Sequence, residues 1–560
     1  MSGYGNLKPD KTLPASLAAE NSRGKLYSVI CVALFFLLVF AWWTFSGREL
    51  LRQEGFFATC AGEYRWGLQI SAHGVVRQDI QPLYPALAAL LYRAGVPMEI
   101  ALRLISVVML AAWALLAGIA VAMRRNFRAG IVTFCCCAGT ILAMDKGIDG
   151  SPATMTAFFL LAAQLVFFHY GSRLANWNKA WLGAAVLWIL AFFSGGPVTI
   201  WYFVLPLLFL RRPLSVGSKF NAPGFFAGGA MMVLAVIAWA IAAGLNIKSD
   251  LITVSDFSSW DHLKQLFSFP AVFVVRMMPW AVLCWLPLCP ALQQLDATPV
   301  FSKYLRTLFF TSFIFFWLMP DRPGSELFIV AGPLAMLTGL NYELGIRRYW
   351  KWFRQSFFAG EIFLIAITAA MIVLHFFPDE WLNKIPFIRA QWWRFRTVYG
   401  YAVMVYGAIA VAVLFIVNFH LNRRKAPIWH LILQMACVMA VFFNVLLLPN
   451  FTSEKRWRML GRDIKDAIRE EQNVDVLYKL DIDGMFCGLF YSGVPVKKIR
   501  SLNELSGDET VYLISSSFPR HFGWRWAPLL PPGYTFEDKQ LFMWRGVPVP
   551  PGDEDDTEAQ

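Results

Sequence analysis

Residues Arg48–Pro85 read RELLRQEGFFATCAGEYRWGLQISAHGVVRQDIQPLYP, and the fold follows from where this stretch stands. The apolar run Leu26–Phe45 precedes it, and almost everything after it is apolar until about Phe451. A charged stretch between two such runs must sit in water or at a membrane face, because a charge at mid-bilayer costs about 2.5–3.5 kcal/mol even on a lenient scale. The loop is therefore read as the carrier of the chemistry and the apolar body as its support.

Composition points the same way. The chain has 560 residues, 57% hydrophobic and 16% charged, with a mean hydropathy of +0.50, which belongs to a polytopic membrane protein. The net charge of +13 does not imply nucleic acid, since the basic residues fall in short clusters between apolar runs. Lys8, Lys11, Arg23 and Lys25 precede the first run, which lacks a small-residue cleavage site and reads as an anchor leaving the N-terminus cytoplasmic. Most cysteines sit in apolar runs. Only Cys60 and Cys487 fall outside, where an oxidising compartment could bridge them. No ligand spacing marks a metal, and none is assigned; His73 and His262 are lone loop histidines that could ligate a divalent ion.

Threading the apolar runs by their basic turns gives an all-α membrane domain of about thirteen crossings, Ile100–Met123, Gly130–Met144, Ala180–Phe193, Phe225–Leu245 and Phe269–Cys289 among them, with the basic stretch IRRYWKWFRQ as a turn; the odd number puts the C-terminal segment outside. The expected organisation is a cytoplasmic tail over 1–25 and a membrane domain over 26–449. The first outer loop, 46–99, lies within that domain and includes a helix at the membrane face over Leu83–Arg93. A soluble α/β domain follows over 450–548, then an acidic tail over 549–560. In the α/β domain, Lys455–Gln472 has helical spacing, and Asp475–Leu480, Thr510–Ser515 and Phe536–Trp544 read as strands. Asp379–Arg396 breaks the charge rule and reads as an interfacial segment meeting membrane lipids. The acids, Asp321 and Glu326 among them, collect at the outer ends of spans rather than at mid-depth, which argues against a secondary transporter.

Four stretches resemble the C-type glycosyltransferases that use polyprenyl-phosphate sugars, in the bacterial branch related to protein O-mannosyltransferases and to the lipid A aminoarabinose transferase. They are QEGFFATCAGEY at Gln53–Tyr64, IQPLYPALAALLYRAG with RLIS downstream, SGGPVTIWYFVLPLLFL at Ser194–Leu210, and MPWAVLCWLPL followed by MPDRPGSELFIVAGPLAML. The resemblance implies inverting transfer of a hexosyl or pentosyl group from a polyprenyl-phosphate donor to a lipid, glycan or protein acceptor. The reaction would lie on the extracytoplasmic face of a membrane, with a bacterial inner membrane as the expected place and no cofactor required.

Such chemistry needs a carboxylate for the acceptor's proton and positive charge on the departing phosphate. By resemblance the base is Glu54, because Gln53 occupies the position of the family's aspartate. A register slip or an impaired enzyme are the alternatives. The second acid falls on Asp149, with Asp145 competing. Gly195 stands where members often carry lysine, and Gln81 where the aminoarabinose transferase carries a phosphate-binding lysine, so Arg77, Arg103 and Arg322 become the phosphate candidates beside Gln53 and Gln81. Arg103, near the outer end of a span, is the foremost of them. The competing classes are a flippase or transporter of a lipid-linked substrate, and an inactive member of the same fold.

Overall fold

The structure is a computed structural model. It describes residues 48–51, 53–77, 80–210, 220–244, 260–289, 296, 298–319, 326–375, 401–424, 426–443, 457–470, 476–482, 484–505, 509–519, 524–529, 535–536 and 539–549. The tail 1–25, the expected first span 26–45, Arg322, the segment 379–396 and residues 550–560 lie outside the described residues.

The polar loop folds into a short helix, α1 (Glu54–Gly62), and a hairpin of β1 (Ile70–Ala72) and β2 (Val75–Arg77). Then come α2 (Leu83–Arg93) and the long α3 (Met98–Ala122). Asn126 starts α4 (Phe127–Ala138) by accepting the N–H of Ala129 at 2.9 Å, and Thr140 starts α5 (Ile141–Lys146) by accepting that of Ala143 at 3.0 Å. The sequence reading had one span over Gly130–Met144. The helix instead stops at Ala138, where Thr140 turns the chain and caps a new one.

α6 (Ala153–Phe168) returns, and α7 (Trp177–Gly195), capped by Asn176, packs along it. α8 (Val198–Leu208) and α9 (Pro223–Ala243) follow; Pro223 opens α9 and Gly244, left-handed at φ 62°, closes it. The expected span Phe269–Cys289 is instead a bent pair, α10 (Trp260–Arg276) and α11 (Ala281–Trp285), turning by 111°. Pro279 supplies no N–H to continue the first helix. After α12 (Pro299–Leu318) comes α13 (Leu327–His375), which is two spans, Leu327–Arg347 and Tyr349–Val373, joined across a kink at Tyr349 (φ −122°, ψ 26°) inside the basic stretch expected as a turn. α14 (Tyr401–Arg423) and α15 (Ile428–Phe442) complete the bundle.

Among the described residues, seven helices are long and apolar enough to cross a membrane, or eight with the bent pair, and three shorter apolar helices accompany them. The chain is a multi-pass membrane protein; the expected thirteen crossings are not reached within the described residues. Aliphatic and aromatic side chains fill the bundle, with Trp113, Trp188 and Trp280 almost wholly buried.

The C-terminal part is a sheet in the order β4-β3-β5-β9-β6. β3 (Leu477–Lys479) pairs in parallel with β4 (Val496–Lys498) and β5 (Val511–Ser515). β9 (Phe542–Pro548) runs antiparallel to β5 and to β6 (Trp524–Pro528), and a two-residue pair, β7 (Thr535–Phe536) and β8 (Lys539–Gln540), precedes it. Two helices, α16 (Trp457–Glu470) and α17 (Phe486–Ser492), lie between sheet and loop. Their apolar side chains share one core with α1, α2 and the start of α3. Gly55 is required there, because a Cβ would come 2.4 Å from Cys487 Sγ. Cys60 and Cys487 are both buried, as thiols rather than as a disulfide.

Candidate functional site

Glu54 opens α1 and is 1% exposed; Arg103, one turn into α3, is 0% exposed. Their contact is bidentate. Arg103 Nε donates to Glu54 Oε1 at 2.9 Å and Nη2 to Oε2 at 2.7 Å. The same guanidinium donates to the carbonyls of Arg48 at 3.0 Å and Glu49 at 2.7 Å, so it faces inward. Glu54 also accepts the N–H groups of Gly150 at 3.0 Å and Leu51 at 2.9 Å. The contact therefore ties three segments far apart in sequence: the loop, α3 and the turn before α6. Burial alone would raise the Glu54 carboxyl. The charge and hydrogen bonds of Arg103, helped by Arg48 and the Gly150 N–H, outweigh it and hold the group at about 2.

A second network sets the same turn. Tyr84 O–H donates to the Leu102 carbonyl at 2.9 Å and lies 3.1 Å from Ser106 Oγ, which accepts the N–H of Ser151 at 3.0 Å. These contacts place Ser151 at the wall of a cleft of about 760 Å³ between the loop, α6, α7, α8 and the start of α13. Its polar lining is made of Gln53, Gln81, Ser151, Thr156, Ser194, Thr199, Tyr202 and Glu326. Among the described lining residues, Glu326 is the one carboxylate and there is no Lys, Arg or His. Tyr202 O–H donates to Glu326 Oε2 at 3.2 Å.

Gln81 is the other distinctive group. Only 6% of it is exposed, and its Oε1 has no hydrogen-bond partner among the described residues. A buried acceptor left unpaired costs about 1–3 kcal/mol, so a donor entering the cleft would be held by it. Gly196 fits beside it at φ 78°, where a Cβ would lie 3.1 Å from Gln81 Nε2. Gly195 is fixed by packing: a Cβ there would fall 2.3 Å from Thr156 Cγ2, which leaves no room for the lysine that the resemblance suggests.

The other sequence-predicted residues lie elsewhere. Gln53 and Gln81 share the cleft, whereas Glu54, Arg77, Arg103, Asp145 and Asp149 are absent from its lining. Asp145 pairs with Arg276 at the end of α10 and lies 3.9 Å from Lys146. Half-buried Asp149, next to Gly150, acts electrostatically on Arg103 and Tyr84. Arg77 stacks over the Phe56 ring at 5.1 Å. Sequence reasoning counted Glu326 among the outer acids without selecting it. Its one local signal is position, immediately before an apolar helix, where a carboxylate also suits the helix dipole.

The hairpin docks on the C-terminal sheet. His73, buried, stacks on Phe486 with ring centroids 4.7 Å apart, and its carbonyl accepts the N–H of Lys498 at 3.0 Å. Burial first, then the charges of Lys479 and Lys498, push the imidazole down to about 3, so it is neutral at ordinary pH. Tyr491 O–H donates to Glu99 at 3.2 Å and accepts the N–H of Leu50 at 2.8 Å; Arg458 reaches Glu99 at 3.1 Å. Among the described residues no three His, Cys, Asp or Glu side chains gather as a metal site would require.

No family model matches the chain, and no curated protein does. Among solved structures it is similar to ArnT from Cupriavidus metallidurans. With the form bound to undecaprenyl phosphate the TM-score is 0.64 at 14% identity, over 94% of this chain and 98% of that one. With the apo form the TM-score is 0.66, also at 14% identity, over 93% and 98%. A much weaker likeness, TM-score 0.29 at 12% identity, is to an oligosaccharyltransferase of Archaeoglobus fulgidus, over 84% of this chain and 61% of that one. The chain shares the fold of ArnT over nearly the whole length of both chains.

Proposed function

We propose that this protein is a membrane glycosyltransferase. It moves a hexosyl or pentosyl group from a polyprenyl-phosphate donor to a lipid, glycan or protein acceptor, with inversion. The reaction takes place on the extracytoplasmic face of a bacterial inner membrane, where the C-terminal domain, 450–548, covers the loop. The observation that carries this reading is the cleft itself. In a body otherwise built of apolar helices, it gathers amides and hydroxyls that suit a sugar, and one carboxylate that suits an acceptor's proton.

In the proposed reaction the acceptor oxygen attacks the anomeric carbon, the bond from that carbon to the lipid phosphate breaks, and the phosphate leaves with the bonding pair. Glu326, oriented by Tyr202, takes the acceptor's proton. Glu54 is given a positioning part instead. Both its oxygens already accept from Arg103 and backbone N–H groups, and a carboxyl held near 2 is a weak base at neutral pH. Gln53 and Gln81 contact the sugar, with Gln81 Oε1 accepting a hydroxyl. Arg322, four residues before Glu326, and Arg77 remain the proposed contacts of the lipid phosphate, and Asp149 the proposed second acid.

One observation favours a second reading, a non-catalytic member of the fold: the described lining of the cleft holds no cation for a departing phosphate. Purified protein incubated with radiolabelled polyprenyl-phosphate sugars and membrane lipids separates the two. Labelled product supports transfer. Saturable donor binding without product supports the second reading.

A further inference from the structure

A second hollow lies at the other end of the bundle. Glu326 stands at the start of α13 and Glu343 lies seventeen residues further along it, a rise of about 25 Å and close to the thickness of the hydrocarbon core. There a hollow of about 460 Å³ is lined by Arg128, Tyr342, Glu343, Arg347, Trp429 and two isoleucines.

Its chemistry is anion-seeking. Glu343 is engaged from the turn between α3 and α4, where Arg125 Nη2 donates to its Oε2 at 3.2 Å and Asn126 Nδ2 to its Oε1 at 2.7 Å. Among the described residues, Arg125, Arg128 and Arg347 gather around Glu343, the one carboxylate of the lining, so basic groups outnumber acidic ones there. Two helix N-termini converge on the hollow, since Arg128 lies in the first turn of α4 and Trp429 in the first turn of α15. Each adds a partial positive charge and N–H groups. Trp429 is 7% exposed, and its buried indole N–H has no partner among the described residues.

We propose that this hollow binds the phosphate group of an anionic phospholipid, in the leaflet opposite the cleft. The guanidinium groups of Arg128 and Arg347 meet the phosphate oxygens. The Trp429 N–H donates to an ester oxygen, and Ile346 and Ile428 meet the first methylenes of the acyl chains. A free phosphate shares the charge but has no use for the apolar wall. On the orientation proposed above this leaflet is the cytoplasmic one, where anionic lipid is enriched. The inference stands whether or not the protein transfers sugars.

Native mass spectrometry of the full chain in neutral detergent tests it, with phosphatidylglycerol, phosphatidylcholine and inorganic phosphate as probes. Wild type should hold phosphatidylglycerol in preference to phosphatidylcholine. Exposed Arg347 can be changed to Gln without touching the core, and Arg347→Gln should weaken that binding about fivefold; adding Arg128→Gln should bring the loss to about thirtyfold. Trp429→Phe keeps the packing and should also weaken it, whereas Arg423→Gln, an exposed cation elsewhere, should not. Equal binding of the two lipids, or unchanged phosphatidylglycerol binding in Arg347→Gln and Trp429→Phe, would overturn the proposal. So would full displacement of the lipid by millimolar inorganic phosphate, which would mark a free-phosphate site.

Discussion

Glu54→Gln removes one charge from a fully buried ion pair and leaves its shape. In the wild type the carboxylate accepts from Arg103 twice and from two backbone N–H groups. The substitution leaves the buried Arg103 guanidinium without its paired charge, holding the carbonyls of Arg48 and Glu49 and at most one amide oxygen, a situation that costs about 3–5 kcal/mol when one member of a buried pair is lost. Linkage gives a similar size. The carboxyl is held at about 2 against an ordinary 4.5, a shift worth about 3 kcal/mol. Because the folded value is the lower one, this stability is complete above about pH 4.5, falls away between 4.5 and 2, and is gone below that. Denaturant unfolding of purified protein at pH 7 should show Glu54→Gln destabilised by that order. Combining Glu54→Gln with Arg103→Gln should cost less than the two single losses added together. The loss of stability should accompany any loss of activity. A Glu54→Gln protein as stable as wild type yet without turnover would refute this reasoning and return Glu54 to the place of base.

Three further outcomes are expected. Gly55→Ala drives a methyl into Cys487, with costs of about 1–3 kcal/mol, and should loosen the C-terminal domain from α1, read as faster protease cleavage near residues 484–498. His73 is neutral and held at about 3, so below its ordinary 6.5 the unfolded chain binds a proton that the folded one refuses. Stability should therefore fall by about 1.4 kcal/mol per pH unit as the pH drops from 6.5 toward 3, and His73→Phe should abolish that part of the acid sensitivity in hydrogen exchange of β4. Gln81→Leu removes an unpaired buried acceptor and should leave stability unchanged or raised, while weakening binding of a polyprenyl-phosphate sugar about tenfold.

Much of the architecture was legible because hydrocarbon restricts what a chain can do. Long apolar runs had to be helices, and a more polar C-terminal segment had to be something else; α3, α7, α9, α16, β3 and β5 lie where patterning puts them, whereas β4 and the pairing of the strands were not read from it. The basic stretch IRRYWKWFRQ reads as a turn by charge, and Tyr349 within it breaks α13 into two spans, Leu327–Arg347 and Tyr349–Val373. Hydropathy failed elsewhere. Pro279 marks a break that hydropathy averages away.

The site was legible only in part. Gln53 and Gln81 were singled out by comparison with a family pattern, and both line the cleft. The partners of Glu54 were out of reach, because Arg103 lies 49 residues away and Gly150 lies 96 away, and no local spacing encodes either contact. Glu326 and Tyr202, 124 residues apart, meet only in the folded chain.

The most direct test is transfer of labelled sugar from a polyprenyl-phosphate donor by wild type, Glu326→Gln and Glu54→Gln, each matched for folded protein. The account expects wild-type transfer, a loss of about a hundredfold or more in Glu326→Gln with donor binding and stability kept, and substantial residual transfer by whatever Glu54→Gln remains folded. Transfer by Glu326→Gln at the wild-type rate, with none from folded Glu54→Gln, would contradict it.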